Sequence, residues 1–518
     1  MTVKRASIVV ALCTVCTRIT GYIRECVLQN FFGASFFLDM FYASFRIINF
    51  FRHVFAEGAF NVTYIGILKT KLPRPEDPQN SMQNAIAFYQ KSLTLMIFYA
   101  SIVTALLYIF FPQVLYLTAY GIMQKDAHTC SLLSRLATPF LLFISALACM
   151  SATLNALFSF AIPACLQITI NLTVTTAAIF AMIFNLTPVS AVVACMLSIC
   201  GSGAINVVIA HFALKKHGFA FRPTSIRSTP ETKKMFVSMI PIIISTGMWQ
   251  LNSLVDINIL SFLESGSIAL ASAADRINQI PLAIIGISIS TALLPYLIDH
   301  IYKNNTAKIH HDVQNICLAS LFLSLLSMVF LLVFPDVVVA CLYQFTSFSL
   351  KETITTAKLC LAYSIGIPGF VFYKIFLTVF HAHKDYKTPV WISLIAIFIN
   401  ISVSVLLLPV AGIIAVPLST SLAFIVYAGI LILVANRKFH LQYTKAFSQK
   451  VFLHLAVALL TYVVLYSIQN SMWHLSISHC SIRYLYAVGF AIACVAVYLL
   501  SSIALSKLFK HKRLPWHL

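Results

Sequence analysis

The first long apolar run of the chain, SIVVALCTVCTRITGYIRECVLQNFF at residues 7–32, contains two arginines, Arg18 and Arg24. A helix needs about 20 apolar residues to cross the hydrocarbon core of a bilayer, and this run is long enough. An arginine near the centre of such a helix costs about 2.5–3.5 kcal/mol on membrane-insertion scales. Charges of this kind persist where they face water, a partner charge or a ligand. The run therefore predicts a membrane helix that lines a polar interior.

Apolar runs of similar length recur from end to end of the 518-residue chain, which is 60% hydrophobic and 10% charged. A soluble domain with this composition would have too few polar residues to cover its surface. We therefore predict an all-α integral membrane protein with about fourteen transmembrane helices. The predicted spans lie near 6–30, 37–67, 92–117, 130–157, 161–185, 188–213, 236–262, 270–299, 313–335, 355–381, 388–408, 410–435, 451–468 and 484–506.

The net charge of +20 comes from 35 Lys and Arg against 15 Asp and Glu, and its distribution decides what it means. If the N-terminus lies inside and the spans alternate, most of these cations fall in cytoplasmic segments. The opposite side then holds only Lys125, Lys351 and Arg483, with Lys358 close by. This is the positive-inside pattern of membrane proteins. We therefore expect both termini in the cytoplasm and no nucleic-acid partner.

The chain divides into two halves and a tail. Its most polar internal connection, KKHGFAFRPTSIRSTPETKK at 215–234, indicates a cytoplasmic linker. FYASFRIINF around Arg46 is similar to ASAADRINQI around Arg276, which suggests an internal duplication. Repeated bundles with a site at their interface are a transporter architecture. The predicted divisions are an N-terminal lobe of six spans at 1–214, the linker at 215–235, a C-terminal lobe of six spans at 236–440, and two final spans with a basic tail at 441–518.

Helical phase groups the polar residues of the first two spans. In the first span, one face of roughly 120° carries Thr14, Thr17, Arg18, Gly21, Arg24 and Glu25. In the second span, one face carries Asp39, Arg46, His53 and Glu57, with Asn49 at its edge. Arg52 falls off that face on a straight helix, so either the helix bends or Arg52 makes a different contact.

The intramembrane arginines outnumber the acids that could neutralise them. Six arginines lie within apolar runs, namely Arg18, Arg24, Arg46, Arg52, Arg135 and Arg276. The acids in comparable positions are Glu25, Asp39, Glu57, Asp256 and Asp275. Structural ion pairs, such as Arg18 with Glu25 or Asp39 with Arg46, would still leave a cationic surplus. Because a planar guanidinium makes paired hydrogen bonds to phosphate oxygens, the surplus favours an anion such as a diphosphate.

The segment TRITGYIRECVLQNFFGASFFLDMFYASFRIINFFRHVFAEGAFNVTYIGIL, residues 17–68, resembles the opening signature of the MurJ/MviN family of lipid II flippases. The matching features are R-x-x-G-x-x-R at 18–24, the acidic Asp39 and R-x-x-F-A-E-G-A-F at 52–60. Further on, AADRINQIPLAIIGISISTALLP at 273–295 is similar to the second-half signature of the family. HAHKDYKTPV at 381–390 is similar to its Asp-x-x-Thr-Pro turn.

The resemblance implies a fold and a substrate. The family belongs to the multidrug/oligosaccharidyl-lipid/polysaccharide exporter superfamily, with two six-helix lobes around a central cationic cavity. Two extra C-terminal helices, matching 451–468 and 484–506, would form a groove for the undecaprenyl chain. The substrate would be lipid II, a disaccharide-pentapeptide on undecaprenyl diphosphate, moved to the outer leaflet of the bacterial cytoplasmic (inner) membrane for peptidoglycan synthesis. We expect no enzyme activity and no cofactor, and we expect membrane lipids and the cell-wall synthesis and division machinery as further partners.

The resemblance also assigns roles to residues. Diphosphate binding is assigned to Arg18, Arg24, Arg52 and Arg276. Roles in the cavity and its gates are assigned to Glu25, Asp39 and Glu57, and helical phase adds Arg46, Asn49 and His53. Family transport is linked to membrane potential, with a sodium site in the second lobe of some members. Asp256 and Asp385 match the acids of that site, but His381 replaces its asparagine, so sodium, protons and membrane potential stay open as alternatives.

Two other functions compete with this prediction. A cation-coupled multidrug exporter of the same superfamily would have an acidic or apolar cavity for cationic drugs, whereas the first lobe here is rich in arginine. A non-transporting membrane scaffold would use the arginines only to bridge helices, and their loss would then leave lipid movement unchanged.

Overall fold

The structure is a computed structural model that describes residues 3–56, 59–73, 82–303, 305–344, 348–441, 445–472 and 480–508. Within these ranges every regular element is helical, so the all-α prediction is confirmed. The chain forms two compact units, Met1–Ala269 and Leu270–Leu518.

The first unit consists, in the described ranges, of nine helices and the start of a tenth. They are α1 (Val3–Phe32), α2 (Phe36–Ala56), α3 (Ala59–Lys71), α4 (Met82–Thr118), α5 (Tyr120–Ala137), α6 (Phe140–Ala156), α7 (Ala161–Ile183), α8 (Pro188–Lys215), α9 (Pro230–Ser261) and the first residues of α10 (Ser267–Pro281). The predicted span at 37–67 is divided between α2 and α3, and α1 packs most extensively against α7.

Two helices of the first unit begin with the same sequence, a threonine N-cap followed by proline. Pro188 and Pro230 open α8 and α9, where the N–H that proline lacks would have no helical partner anyway. The threonine before each proline caps the helix, because Thr187 Oγ1 accepts from Ser190 N and Thr229 Oγ1 accepts from the backbone three residues on. The cap at Thr229 fixes the end of the polar connection between α8 and α9.

The second unit continues from α10. Its described elements are a π-helical segment (Leu282–Ile287), α11 (Ser288–Tyr302), α12 (Thr306–Val333), α13 (Pro335–Tyr343), α14 (Leu350–Ser364), α15 (Ile367–Ala382), α16 (Lys387–Ala411), a 3-10 turn (Gly412–Ile414), α17 (Ala415–Phe439), α18 (Lys445–Met472) and α19 (Cys480–Leu508). The short helix α13 was not predicted.

Proline interrupts the predicted span at 270–299. Pro281 ends α10, and the π-helical segment follows before α11 begins. Because proline has no N–H to donate to the carbonyl four residues earlier, the regular hydrogen-bond pattern cannot continue through it. The wider turns of the π-helical segment take up this break.

The last two helices pack against α12 and α13 within the second unit. The rings of Phe334 and Phe490 stack with their centroids 4.4 Å apart, and Phe322 meets Tyr498 edge to face at 4.8 Å. The hydroxyl of Tyr498 also donates to the carbonyl of Phe322 at 3.2 Å. Close packing and hydrogen bonds of this kind hold helices together in a membrane. The described parts of α18 and α19 are therefore integral to this unit.

Eight helical stretches of the described residues are long and apolar enough to cross a membrane. The count is nine if α14 and α15, which meet at a bend of 43°, form one span. The chain is thus a multi-pass membrane protein. The count of fourteen spans, the cytoplasmic termini and the predicted lobe divisions stay predictions.

Candidate functional site

Arg24 is buried where α1 meets α7. Its Nη1 donates to Oδ1 of Asn171 on α7 at 3.2 Å, and its Nη2 lies 3.8 Å from Oε2 of Glu25. The amide nitrogen of Asn171 in turn donates to the carbonyl of Thr17 at 3.1 Å and to Oγ1 of Thr20 at 3.2 Å. Asn171 therefore joins three positions of α1 to α7 and orients the arginine.

Gly21 makes room for this amide. A Cβ atom at Gly21 would lie 3.2 Å from Nδ2 of Asn171, closer than side chains normally approach. The glycine of the R-x-x-G-x-x-R sequence thus has a local physical reason, because it lets the amide reach the backbone of α1.

Arg52 is also buried, and its contacts lie on α2 and α7. Its Nε donates to Oδ1 of Asn49 at 2.7 Å, and its Nη1 donates to Oε1 of Gln167 at 3.4 Å. Its Nη2 lies 3.1 Å from Nε2 of His53. The contact with Gln167 explains why Arg52 falls off the polar face predicted for α2. Asn49 and Gln167 are neutral, so these two contacts orient the guanidinium without neutralising it.

One face of α7 brings the two buried arginines to neighbouring positions. Gln167 and Asn171 are four residues apart on this helix, and residues at that spacing are adjacent on a helix surface. Gln167 receives Arg52, and Asn171 receives Arg24. Neither amide was predicted from the sequence. The available signal was two amides at helical spacing inside the apolar run 161–185, because such side chains in a membrane helix bond to neighbouring helices.

Glu25 lies in a network of polar side chains on α1 and α2. The hydroxyl of Tyr42 donates to Oε1 of Glu25, and the amide of Gln29 lies 3.4 Å from the same oxygen. The Gln29 amide also donates to the carbonyl of Ala269 at 3.0 Å. Tyr42, Gln29 and Glu25 are all buried, so they form a polar network between α1 and α2.

Asp39 caps the N-terminal end of α10. Its Oδ2 accepts from Gly266 N at 2.6 Å, and its Oδ1 accepts from Ala269 N at 2.8 Å. A carboxylate is favourable at this end of a helix because of the helix dipole and the unpaired N–H groups. Among the described residues, Asp39 has these backbone donors and no ion pair with Arg46. The pairing of Asp39 with Arg46 that the sequence left open is therefore not observed.

The remaining predicted site residues that the structure describes in the first unit lie on three different helices. Arg18 is exposed on α1, and Arg46 is half-buried on α2. Asp256 is buried on α9, where the amide of Asn252 lies 3.4 Å from its Oδ2. Glu57 lies outside the described residues.

In the second unit, Arg276 is half-buried on α10 beside Asp275, whose Oδ2 accepts from the amide of Gln279 at 2.7 Å. His381 lies at the end of α15, with its ring centroid 5.2 Å from that of Tyr386. The described residues contain no group of three or more His, Cys, Asp or Glu side chains that could hold a metal ion. A sodium ion there would need carbonyl or hydroxyl oxygens.

Asp385 precedes α16 and is paired with a lysine. Its Oδ2 accepts from Lys438 Nζ at 2.6 Å and from Thr388 Oγ1 at 2.6 Å, and its Oδ1 accepts from Thr388 N at 3.1 Å. Burial alone would raise the pKa of Asp385, but the hydrogen bonds from Lys438 and Thr388 outweigh it and hold the pKa below its usual range. The carboxylate therefore caps α16 and binds Lys438.

Solved structures with a similar fold define the class of this protein. The structure titled "Lipid II flippase MurJ, inward closed conformation" has a TM-score of 0.78 at 21% identity, covering 97% of this chain and 100% of that one. An inward-facing multidrug resistance MATE family transporter of the MOP superfamily has a TM-score of 0.69 at 11% identity, covering 83% of this chain and 96% of that one. This chain is an integral membrane protein that shares its fold with these proteins.

Sequence comparison identifies the family. The family model described as "Lipid II flippase MurJ" matches residues 28–486. The "Probable lipid II flippase MurJ" of Rickettsia prowazekii is 32% identical over 426 residues, which cover 82% of each chain. The protein of the same description from Thermotoga maritima is 27% identical over 457 residues, 88% of this chain and 89% of that one. The chain belongs to the lipid II flippase MurJ family, so the resemblance seen in its opening spans is confirmed.

Proposed function

We propose that this protein flips lipid II from the inner to the outer leaflet of the bacterial cytoplasmic membrane. The observation that carries the proposal is the pair of buried guanidinium groups, Arg24 and Arg52, on neighbouring amides of α7. Each planar group can donate paired hydrogen bonds to phosphate oxygens, and lipid II carries a diphosphate. Relatives at 27–32% identity bear the name lipid II flippase, which supports the same substrate here.

The proposed mechanism is alternating access around an arginine-rich cavity. A hydrated cationic cavity would remove most of the barrier that hydrocarbon presents to the polar head group. A lateral opening would let the undecaprenyl chain stay in the bilayer. Arg18, exposed on α1, would meet the diphosphate first, and Arg24 and Arg52 would hold it. Arg276, half-buried on α10, is a further proposed ligand of the diphosphate. The protein would move the lipid without making or breaking a covalent bond, so it is not an enzyme.

Asp39 is the proposed gate residue of the first unit. Hydrogen bonds from backbone N–H groups to a carboxylate are charge-assisted and roughly twice as strong as neutral ones. Asp39 accepts two of them at the start of α10. Breaking this pair would release the first turn of α10 without unfolding the helix. We propose that these hydrogen bonds are formed in one state of the transport cycle and broken in the other.

The membrane potential acting on the cavity charges is the proposed driving force. Moving one elementary charge across the membrane is worth about 2.3 kcal/mol per 100 mV. Asp256 is buried beside Asn252 and is the candidate for additional linkage to sodium or protons. Asp385 is a weaker candidate, because Lys438 contacts a carboxylate oxygen that a cation would need. His381 would offer nitrogen in place of an amide oxygen, which suits sodium poorly.

Complementation tests the proposed function. A bacterium depleted of its own lipid II flippase should grow when this chain is expressed, and lipid II should reach the outer leaflet. Arg24→Ala and Arg52→Ala should abolish both effects at normal membrane levels of the protein. Lysine at either position should restore little, because a point charge lacks the paired geometry of a guanidinium. Lys351→Gln, which removes an exposed cation of the second unit, is the control and should complement fully.

Other outcomes would point elsewhere. If both alanine variants flip lipid II as well as the parent, the proposed site is wrong. Restored growth without any change in outer-leaflet lipid II would favour a scaffold. Export of cationic drugs without lipid II movement would favour a multidrug exporter.

A further inference from the structure

Arg135 differs in its contacts from the buried arginines of the first unit. Its Nε donates to the carbonyl oxygen of Tyr108 on α4 at 3.1 Å, and its Cζ lies 5.6 Å from the centre of the Tyr108 ring. This contact is exposed, whereas Arg24 and Arg52 are buried against α7. The proposed flipping mechanism does not use Arg135.

The sequence of α4 explains why this carbonyl is available. Pro112 lies inside α4 and has no N–H to donate to the carbonyl of Tyr108, four residues earlier. A backbone carbonyl that faces hydrocarbon without a donor is strongly unfavourable. Nε of Arg135 supplies the donor. One edge of the guanidinium is therefore used to complete the backbone hydrogen bonding of α4.

Arg135 and its contact Tyr108 adjoin exposed apolar side chains on α5 and α4. Nη1 and Nη2 of Arg135 have no hydrogen bond or ion pair with any residue in the described part of the chain. Tyr108, its neighbour Ile109 on α4, and Leu132, three residues before Arg135 on α5, are 51%, 59% and 45% exposed. In a membrane-spanning protein, such a surface contacts lipid. A cation at this position is stable when an anionic group lies within reach.

Tyrosines on α4 and α5 indicate the level of this cation in the bilayer. Tyr116 and Tyr120 are 45% and 38% exposed at the junction of the two helices. Exposed tyrosines are enriched at membrane–water interfaces, where lipid phosphates lie. Tyr108 is eight residues before Tyr116, about 12 Å along α4. Tyr108, whose ring centre lies 5.6 Å from Cζ of Arg135, is itself exposed, so exposed tyrosines reach the level of the guanidinium.

We propose that Nη1 and Nη2 of Arg135 bind the phosphate of a bilayer phospholipid, and that an anionic phospholipid is preferred over a zwitterionic one. The acyl chains would lie along Ile109 and Leu132. The preference follows from charge, because the amine of a zwitterionic head group offsets the attraction of its phosphate to the guanidinium. This lipid site is separate from the arginines that are proposed to bind the flipped substrate, and it does not rest on that function.

Native mass spectrometry of the full chain tests the site. The purified protein is mixed with equal amounts of dioleoyl-phosphatidylglycerol and dioleoyl-phosphatidylcholine, and bound lipids are counted. The parent should prefer phosphatidylglycerol by about five-fold, as expected for one cation beside an anionic lipid. Arg135→Gln should bring the ratio close to one, and Lys351→Gln should leave it unchanged. Retained preference in Arg135→Gln, or an equal loss in Lys351→Gln, would overturn the proposal.

Pro112→Ala separates lipid binding from the structural role of Arg135. With an N–H at position 112, the Tyr108 carbonyl regains a helical donor, so loss of the arginine should lower Tm less in this background than in the parent. Phosphatidylglycerol preference should persist in Pro112→Ala and disappear in Pro112→Ala/Arg135→Gln. A folded double variant that keeps the preference would refute the site. Displacement of the lipid by excess inorganic phosphate would also refute it, and would assign the guanidinium to free phosphate.

Discussion

Two amides on α7, those of Gln167 and Asn171, each pair with a buried arginine. A guanidinium and an amide are each unfavourable in hydrocarbon, but each supplies hydrogen-bond groups that the other lacks. Asn171 accepts from Arg24 and donates to Thr17 and Thr20, so both ends of its amide are used. The arginine is thereby held in one orientation before any substrate arrives. Holding a charge in place in advance reduces the entropy that binding would otherwise cost.

Gly21→Ala tests the fit between α1 and α7. The added Cβ would lie 3.2 Å from Nδ2 of Asn171, so the amide must move and weaken its bonds to Thr17 and Arg24. We expect a lower Tm of the purified protein and weaker complementation. Gly201→Ala on α8 is the matched control, since no atom lies within 4 Å of its Cβ position. There alanine should be neutral or stabilise by up to about 1 kcal/mol. Equal effects of the two substitutions would contradict a close fit.

At the scale of helices, Asp385 and Lys438 join the start of α16 to the end of α17. The carboxylate lies at the N-terminal end of one helix and the ammonium at the C-terminal end of the other. Each charge is favourable with respect to the dipole of its own helix, and the two charges also attract each other. The contact therefore fixes both helix ends at one level.

The pH dependence of stability should depend on this ion pair. The pKa of Asp385 is lowered in the folded protein, so its charged form stabilises the fold. That contribution is complete above the unfolded pKa of about 3.9 and is lost as pH falls through the lower folded value. Because Lys438 is half exposed, the pair should contribute at most about 1 kcal/mol.

Asp385→Asn should therefore lower Tm at neutral pH and flatten the decline of Tm below about pH 4. Thermal unfolding of the purified protein over a pH series measures both effects. Glu264→Gln, which changes an exposed carboxylate between α9 and α10, serves as the control. If the parent and Asp385→Asn lose Tm in parallel on acidification, the ion pair does not contribute to stability.

For the molecule as a whole, the sequence predicted the class and family well and the contacts between helices poorly. The length of an apolar run and the helical phase of its polar residues are properties of one helix. They were therefore enough to place Arg24 on the polar side of α1. The partners of Arg24 and Arg52 lie more than a hundred residues away on α7, and phase on one helix cannot identify the helix that faces it. Arg135 was counted among the six arginines within apolar runs, and its contact with α4 could not be predicted for the same reason.

Deleting residues 446–518 tests the two final helices. Without them, the remaining spans should still insert, but transport of lipid II should fall, because the long undecaprenyl chain would lose its proposed groove. An outer-leaflet lipid II assay with a short-chain analogue provides the comparison, and the analogue should be moved nearly as well as by the parent. Since α18 and α19 pack on α12, equal losses for both lipids would show instead that these helices support the fold of the second unit.

The π-helical segment between α10 and α11 determines how far α11 is rotated about its axis relative to α10. Each residue of an α-helix turns the chain by about 100°. Removing one residue from Leu282–Ile287 would rotate every side chain of α11 by that amount relative to Arg276 on α10. The rotation of α11 relative to the end of α10 is therefore encoded in the number of residues between them. Insertions and deletions in this short stretch should be tolerated far less than substitutions.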